Sequence, residues 1–259
     1  FLHKLVSGQF DMDRLDYLKR DSFFSGVTEG NIGTERIINM LDVVDDNLVV
    51  EEKGIYSIEK FLIARRLMYW QVYLHKTVVS AENMLIKVLQ RAKELIMLDE
   101  NIFTTPSLKI FLQKDFTITN FKENSNLLQD FSELDDYNIY TCLKYWKNND
   151  DFVLSKLSER LINRRILKIK VTNQSISDEK KTELITKFMQ KNNCTNEEAN
   201  FFIFSNKASN STYNIEKSNI NILMKTGEVI DITSASDQFD IDALNKTVNK
   251  YFLCYPNNL

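Results

Sequence analysis

The run DMDRLDYLKRD at residues 11–21 packs seven ionised groups and one tyrosine into eleven residues. Wound as a helix, it sets Asp13, Tyr17 and Asp21 at i, i+4 and i+8 with Arg20 adjacent, while Leu15 and Leu18 fall elsewhere on the wheel. Carboxylates beside cations are what a divalent ion and a polyphosphate both require. A charged helix face in water has the same composition, so the segment alone fixes no activity. A second stripe carries complementary chemistry: Arg65, Tyr69, Tyr73 and Lys76 follow i, i+4, i+8 and i+11. The forked donors of arginine and the point charge of lysine suit phosphate oxygens, and a base can stack on a tyrosine ring. Aromatic packing with snorkelling cations gives the same pattern. Taken together, the two stripes point to a nucleotide site.

Both stripes need helices to present them, and the composition favours helices. The 259 residues are 43% hydrophobic and 27% charged with a net charge of −3, which excludes a disordered or fibrous chain. Only six glycines and two prolines are present, too few for a turn-rich all-β architecture. No apolar run approaches the length of a membrane helix, and cytoplasm is the expected compartment. Cys142, Cys194 and Cys254 are widely separated and lack metal-ligand or disulfide spacing. The slightly acidic balance argues against a dedicated nucleic-acid binder. The basic cluster Lys156, Arg160, Arg164, Arg165, Lys168 and Lys170 suits either phosphates or a solvated face.

Along the chain, residues 10–24 read as the first helix, and Thr34 as the N-cap of a short helix through Met40. A hairpin turning at Asp45-Asp46-Asn47 follows. From Ser57 to Leu98 neither glycine nor proline occurs, and apolar residues recur at helical spacing, predicting one or two long helices with a break near Ser80. Shorter helices are expected at 107–114, 125–133, 136–147 and 151–163. Beyond Arg165 the runs ILKIKV, FFIFS, INILM, VIDIT and KYFLCY are β-like, around helices at 177–191 and 240–247. The expected fold is mainly α with an α+β C-terminal part, divided into 1–164 and 165–259.

The blocks SGQFDMDRLDYLKRDSFFSGV, GTERII and YSIEKFLIARRLMYWQVYLHKTVVSAENML, in this order and separation, resemble the C-terminal part of the HD-domain phosphohydrolases. That family includes the SAM-and-HD-domain deoxynucleoside triphosphate triphosphohydrolases and the bacterial dGTPases. The likeness is dense over residues 5–98 and loose beyond. It implies a helical HD-type core, of which this chain would hold an incomplete part, and an oligomer, dimer or tetramer. It also implies a divalent metal ion (Mg, Mn, Fe, Ni or Zn) held by two histidines and two aspartates. Asp13 matches the last aspartate of that ligand set. Arg14 matches a catalytic phosphate-binding cation, Tyr17 a tyrosine lining phosphate and sugar, and Asp21 a carboxylate at the sugar 3′-hydroxyl. Arg65 corresponds to a substrate-phosphate arginine and Tyr73 to a ring beside the nucleotide, with Tyr69 added from the stripe. Arg36, Lys53, His75 and Lys76 would correspond to a regulatory nucleotide site between subunits. Gly33 replaces an aspartate and Leu74 a glutamine of the family pattern, which leaves base selectivity and nucleotide activation open.

The implied reaction is hydrolysis of a deoxynucleoside triphosphate to deoxynucleoside and triphosphate. The family's metal site needs a His-Asp dipeptide, yet His3 and His75 are each followed by lysine. With Phe1 as first residue, the expectation is a portion of a longer polypeptide, inactive by itself, whose histidine-bearing helices lie upstream. The alternative is a degenerate paralogue serving as a nucleotide-binding or scaffold module without hydrolysis.

Overall fold

In the computed structural model, which describes residues 1–210, 219–237 and 248–259, the chain is mainly helical with two small sheets. It divides into two compact units, Phe1–His75 with Lys207–Lys250, and Lys76–Asn206 with Tyr251–Leu259. This is not the 1–164 and 165–259 division suggested by the change of texture at Arg165. The reason is a non-local pairing inside the first unit. Strands β1 (Leu41–Val44) and β2 (Asn47–Glu51) form the expected hairpin, and β2 then pairs in parallel with β5 (Asn221–Leu223). Antiparallel β6 (Val229–Asp231) completes the sheet order β1-β2-β5-β6. The hairpin turns on Asp45 and Asp46, whose φ of 48° and 59° are the left-handed values of a tight two-residue turn.

The helices of the first unit follow local rules. Helix α1 spans Leu2–Ser7, and α2 runs Met12–Ser25 and buries Leu15, Leu18 and Ser22 on one face. Gly26, at φ 72°, ends it in the left-handed cap that glycine favours. A 3₁₀ turn, Thr28–Gly30, then crosses very close: a Cβ on Gly30 would meet Met68 Sδ and Ser22 Cβ at 2.8 Å. Helix α3 spans Thr34–Ile38, so Thr34 is its first residue and Gly33 precedes it, correcting the cap assignment and the end at Met40. Helix α4 (Ile55–Met68) is the core of the unit, burying Ile58, Phe61, Leu62, Ala64 and Met68 in one cluster with Leu15 and Leu18 of α2, the strand residues Val50 and Ile222, and Ile220 just before β5.

The long helical stretch does not break at Ser80. Residues Tyr69–Tyr73 form a π-helical turn after α4, closed by Leu74 N–H donating to the Tyr69 carbonyl at 2.6 Å. Three aromatic side chains and Val72 crowd this turn, and all are poorer helix formers than the Leu, Ala and Arg before them. Ser80 instead lies buried inside helix α5 (Lys76–Met97), where its hydroxyl donates to the Leu167 carbonyl at 2.8 Å.

In the second unit, α5 buries Val79, Met84, Val88, Ala92 and Leu95, and α9 (Asp136–Trp146) and α10 (Phe152–Ile162) bury Leu143, Trp146, Val153, Leu154 and Leu157. Helices α6 (Pro106–Gln113), α7 (Ile118–Glu123) and α8 (Ser125–Ser132) surround a cluster of Phe111, Phe116, Phe121 and Phe131. Strand β3 (Lys168–Thr172) pairs antiparallel with β7 (Val248–Tyr255), in the sheet order β3-β7-β4 with β4 at Phe204–Asn210. Helix α11 covers Asp178–Asn192. Helix α12 (Asn196–Phe202) takes the first two residues of the FFIFS run that reads as strand. A short helix, α13 (Ile232–Ala235), follows β6 in the first unit. The helix expected at 240–247 lies outside the described residues. No helix among the described residues is long and apolar enough to cross a membrane.

Candidate functional site

The chemistry-bearing side chains of α2 and of the α4–π segment meet in the first unit. Tyr73 Oη donates to Asp21 Oδ2 at 2.8 Å across 52 residues of sequence. The Tyr17 and Tyr73 rings lie edge to face, with centroids 5.7 Å apart at 84°. Tyr69 stands against Tyr73 at 5.3 Å and 74°, and the Arg65 guanidinium lies 5.7 Å from the Tyr69 ring centroid. Edge-to-face geometry suits the aromatic quadrupoles, and the guanidinium takes the electron-rich face. The result is a three-tyrosine wall with one arginine and one carboxylate joined to it.

The electrostatics are those of a partly desolvated site. Burial pushes the Tyr17 phenol above its ordinary value, with Tyr69 and Asp11 adding to the rise and Arg65 and Arg14 opposing it. Tyr73 is raised much further, first by burial, then by its bond to the Asp21 carboxylate and that carboxylate's charge. Both phenols therefore stay protonated donors at neutral pH.

Two arrangements differ from the stripes in the sequence. Arg20 turns away from the wall to pair with the exposed Asp16, beside an open depression of about 770 Å³ that Lys19 and Phe23 also line. Lys76 does not continue the Arg65–Tyr69–Tyr73 stripe, because the chain leaves helical geometry at Leu74 and His75, and Lys76 opens α5 in the other unit. Of the residues assigned to a regulatory surface, Arg36 and Lys53 come together, Arg36 Nη2 donating to the Lys53 carbonyl at 3.4 Å. Lys53 Nζ also pairs with Glu51 at 2.6 Å. His75 is exposed at the joint after the π turn.

Asp13 stands exposed in the first turn of α2, one turn before Tyr17 on the same face. It offers carboxylate oxygens of the kind a hard divalent ion takes. Among the described residues no group of three or more His, Cys, Asp and Glu side chains could hold an ion. These residues therefore do not compose a metal site by themselves.

One participant escaped the sequence reading. Asp11, buried and set just before α2, accepts from the Arg14 backbone N–H at 2.8 Å and pairs through its other oxygen with Arg14 Nη1, which also donates to the Gly8 carbonyl. The available signal was its position: an aspartate directly before an apolar-periodic segment is an N-cap.

Residues 32–108 match the model of an HD associated region. Over 99% of its length the chain is similar to the solved structure of a phosphohydrolase from Bacteroides thetaiotaomicron, at 51% identity and a TM-score of 0.91. YwfO of Bacillus subtilis is 29% identical over 264 residues, 98% of this chain. The deoxynucleoside triphosphate triphosphohydrolase SAMHD1 homolog of Dictyostelium discoideum is 26% identical over 105 residues, 39% of the chain. The chain spans 57% of the length of YwfO and 64% of the Bacteroides protein. The likeness is thus to an HD associated region and to a protein described as a phosphohydrolase.

Proposed function

We propose that the protein is a metal-dependent phosphohydrolase acting on deoxynucleoside triphosphates or related nucleotides, releasing deoxynucleoside and triphosphate, and that this chain supplies one wall of its site. The observation that carries the reading is the Tyr73–Asp21 bond with the Tyr17–Tyr73 contact, which joins the α2 stripe to the α4–π stripe. In this reading Arg14 and Arg65 neutralise charge on the phosphates, where guanidinium forks match phosphate oxygens. Tyr17, Tyr69 and Tyr73 form the face against sugar and base, and Asp21 accepts from a sugar hydroxyl. Asp13 contributes one oxygen ligand to a divalent ion. The histidines that complete the ligand set belong to residues outside this chain, in keeping with the greater length of its relatives.

Arg36, Lys53, His75 and Lys76 are proposed to contact a nucleotide activator in a homo-oligomer. Light scattering with and without added nucleotide tests this: a mass that stays monomeric under both conditions removes it. The test of the activity is product analysis with the complete protein over a panel of nucleotides and divalent ions. Intact triphosphate and nucleoside are expected in equal amounts. Nucleotide binding without any product would instead identify a nucleotide-binding module, and release of single phosphates would sink the proposed bond cleavage.

A further inference from the structure

We infer that Asp11 is the positioning residue for Arg14, holding the guanidinium in the orientation in which it receives a substrate phosphate; this rests on the function proposed above. Asp11 is only 4% exposed, and both its oxygens are engaged by the same residue. Oδ1 accepts the Arg14 backbone N–H at 2.8 Å, which caps α2, while Oδ2 meets Arg14 Nη1. The same nitrogen donates to the Gly8 carbonyl, tying the guanidinium to the link between α1 and α2. Among the described residues, the hydrogen bonds of the guanidinium all run through Nη1, so the Nη2 and Nε edge of the fork faces no protein acceptor there. That edge presents the two parallel donors that phosphate oxygens take.

The residue type separates this role from plain capping. Asparagine caps a helix as well as aspartate does. With its oxygen on the backbone N–H, however, it turns an NH₂ donor instead of a second acceptor toward the guanidinium. A buried carboxylate is also costly unless paired, so the aspartate and the arginine depend on each other. The Arg14 side chain keeps 27% of its surface exposed, enough for a ligand to reach the remaining donors.

The variant that isolates the clamp is Asp11→Asn in the complete protein, which keeps the cap and releases the guanidinium. The readout is the KM and kcat of deoxynucleoside triphosphate hydrolysis, with the melting temperature measured alongside. Expected are a KM raised about tenfold, as loss of one oriented charge-assisted contact gives, a kcat little changed and an unchanged melting temperature. In an Arg14→Met background the same substitution should change KM by less than about twofold, because the two residues act as one. Additive effects of Asp11→Asn and Arg14→Met, or a lowered melting temperature with unchanged KM, overturn the inference while leaving the proposed function standing. A wild-type protein that neither binds nor hydrolyses any nucleoside triphosphate overturns the function and this inference with it.

Discussion

Replacing Tyr73 by phenylalanine removes a single oxygen at the point where the two halves of the candidate site join. The phenol donates to the Asp21 carboxylate at 2.8 Å, and hydrogen bonds to a charged acceptor contribute about 1.5–3 kcal/mol when well enclosed. Both residues are half-buried, so water recovers part of this after the substitution. The phenyl ring keeps its edge contact with Tyr17 at 5.7 Å. The expected loss is therefore about 1 kcal/mol, or roughly 2–4 °C in melting temperature for a domain of this size. Urea or thermal melts of Tyr73→Phe, Asp21→Asn and the double variant form a cycle whose coupling energy should be about 1 kcal/mol. The pH dependence gives a second arm. The folded-state pKa of Tyr73 lies above its unfolded value, so the stabilisation is fully present below the ordinary tyrosine range near ~10 and is lost as pH rises beyond it. The difference between wild type and Tyr73→Phe should accordingly stay constant through neutral pH and shrink in strong alkali. A coupling energy of zero, or a difference that disappears below pH ~9, refutes the bond and with it the joining of the two stripes.

Two further outcomes follow from the second unit. Arg91 holds Asp151 through Nε at 3.2 Å and Nη2 at 2.7 Å, and Asp151 also caps α10 by accepting from Leu154 N–H at 2.7 Å. With the two side chains only 20% and 13% exposed, Arg91→Met should cost about 2 kcal/mol in urea unfolding and Arg91→Lys less; a change below about 0.5 kcal/mol rejects the pair as a stabilising element. Burial pushes the Cys254 thiol up to about 12 and raises Cys142 and Cys194 as well, which keeps thiols protonated and unreactive near neutrality. Iodoacetamide at pH ~8 should modify partly exposed Cys194 first, with buried Cys142 and Cys254 protected until unfolding; mass spectrometry showing equal rates at all three contradicts that burial.

What the sequence disclosed divides by range along the chain. Elements set by nearest neighbours were legible: α2 by its acidic start and apolar spacing, the β1–β2 turn by Asp45-Asp46-Asn47, and α6, α8, α9 and α10 to within a residue or two. Features set by distant partners were not. The parallel pairing of β2 with β5 joins Val50 to Ile222, and no local pattern in either strand encodes the other. Ser80 reads as a helix breaker by type, yet its hydroxyl is satisfied by Leu167, 87 residues on, so the helix continues. The helix broke instead at Tyr69–Tyr73, where the aromatic stripe that signals chemistry also crowds the backbone out of α geometry. The site shows the same split. Spacing put Tyr17 with Asp21 and Tyr69 with Tyr73, but only the packing of α4 on α2 brings Tyr73 to Asp21. Arg20, chosen for its adjacency, is drawn off by Asp16 four residues earlier, a pairing that a wheel drawn around the tyrosines hides.

The proposed hydrolysis is tested most directly at Asp13. Metal content and triphosphate release should be measured together on the complete protein and on its Asp13→Ala variant. Wild type is expected to release triphosphate only with a bound divalent ion, and Asp13→Ala to lose both ion and turnover while keeping the wild-type fold. A variant that retains its ion and hydrolyses at the wild-type rate would contradict this expectation.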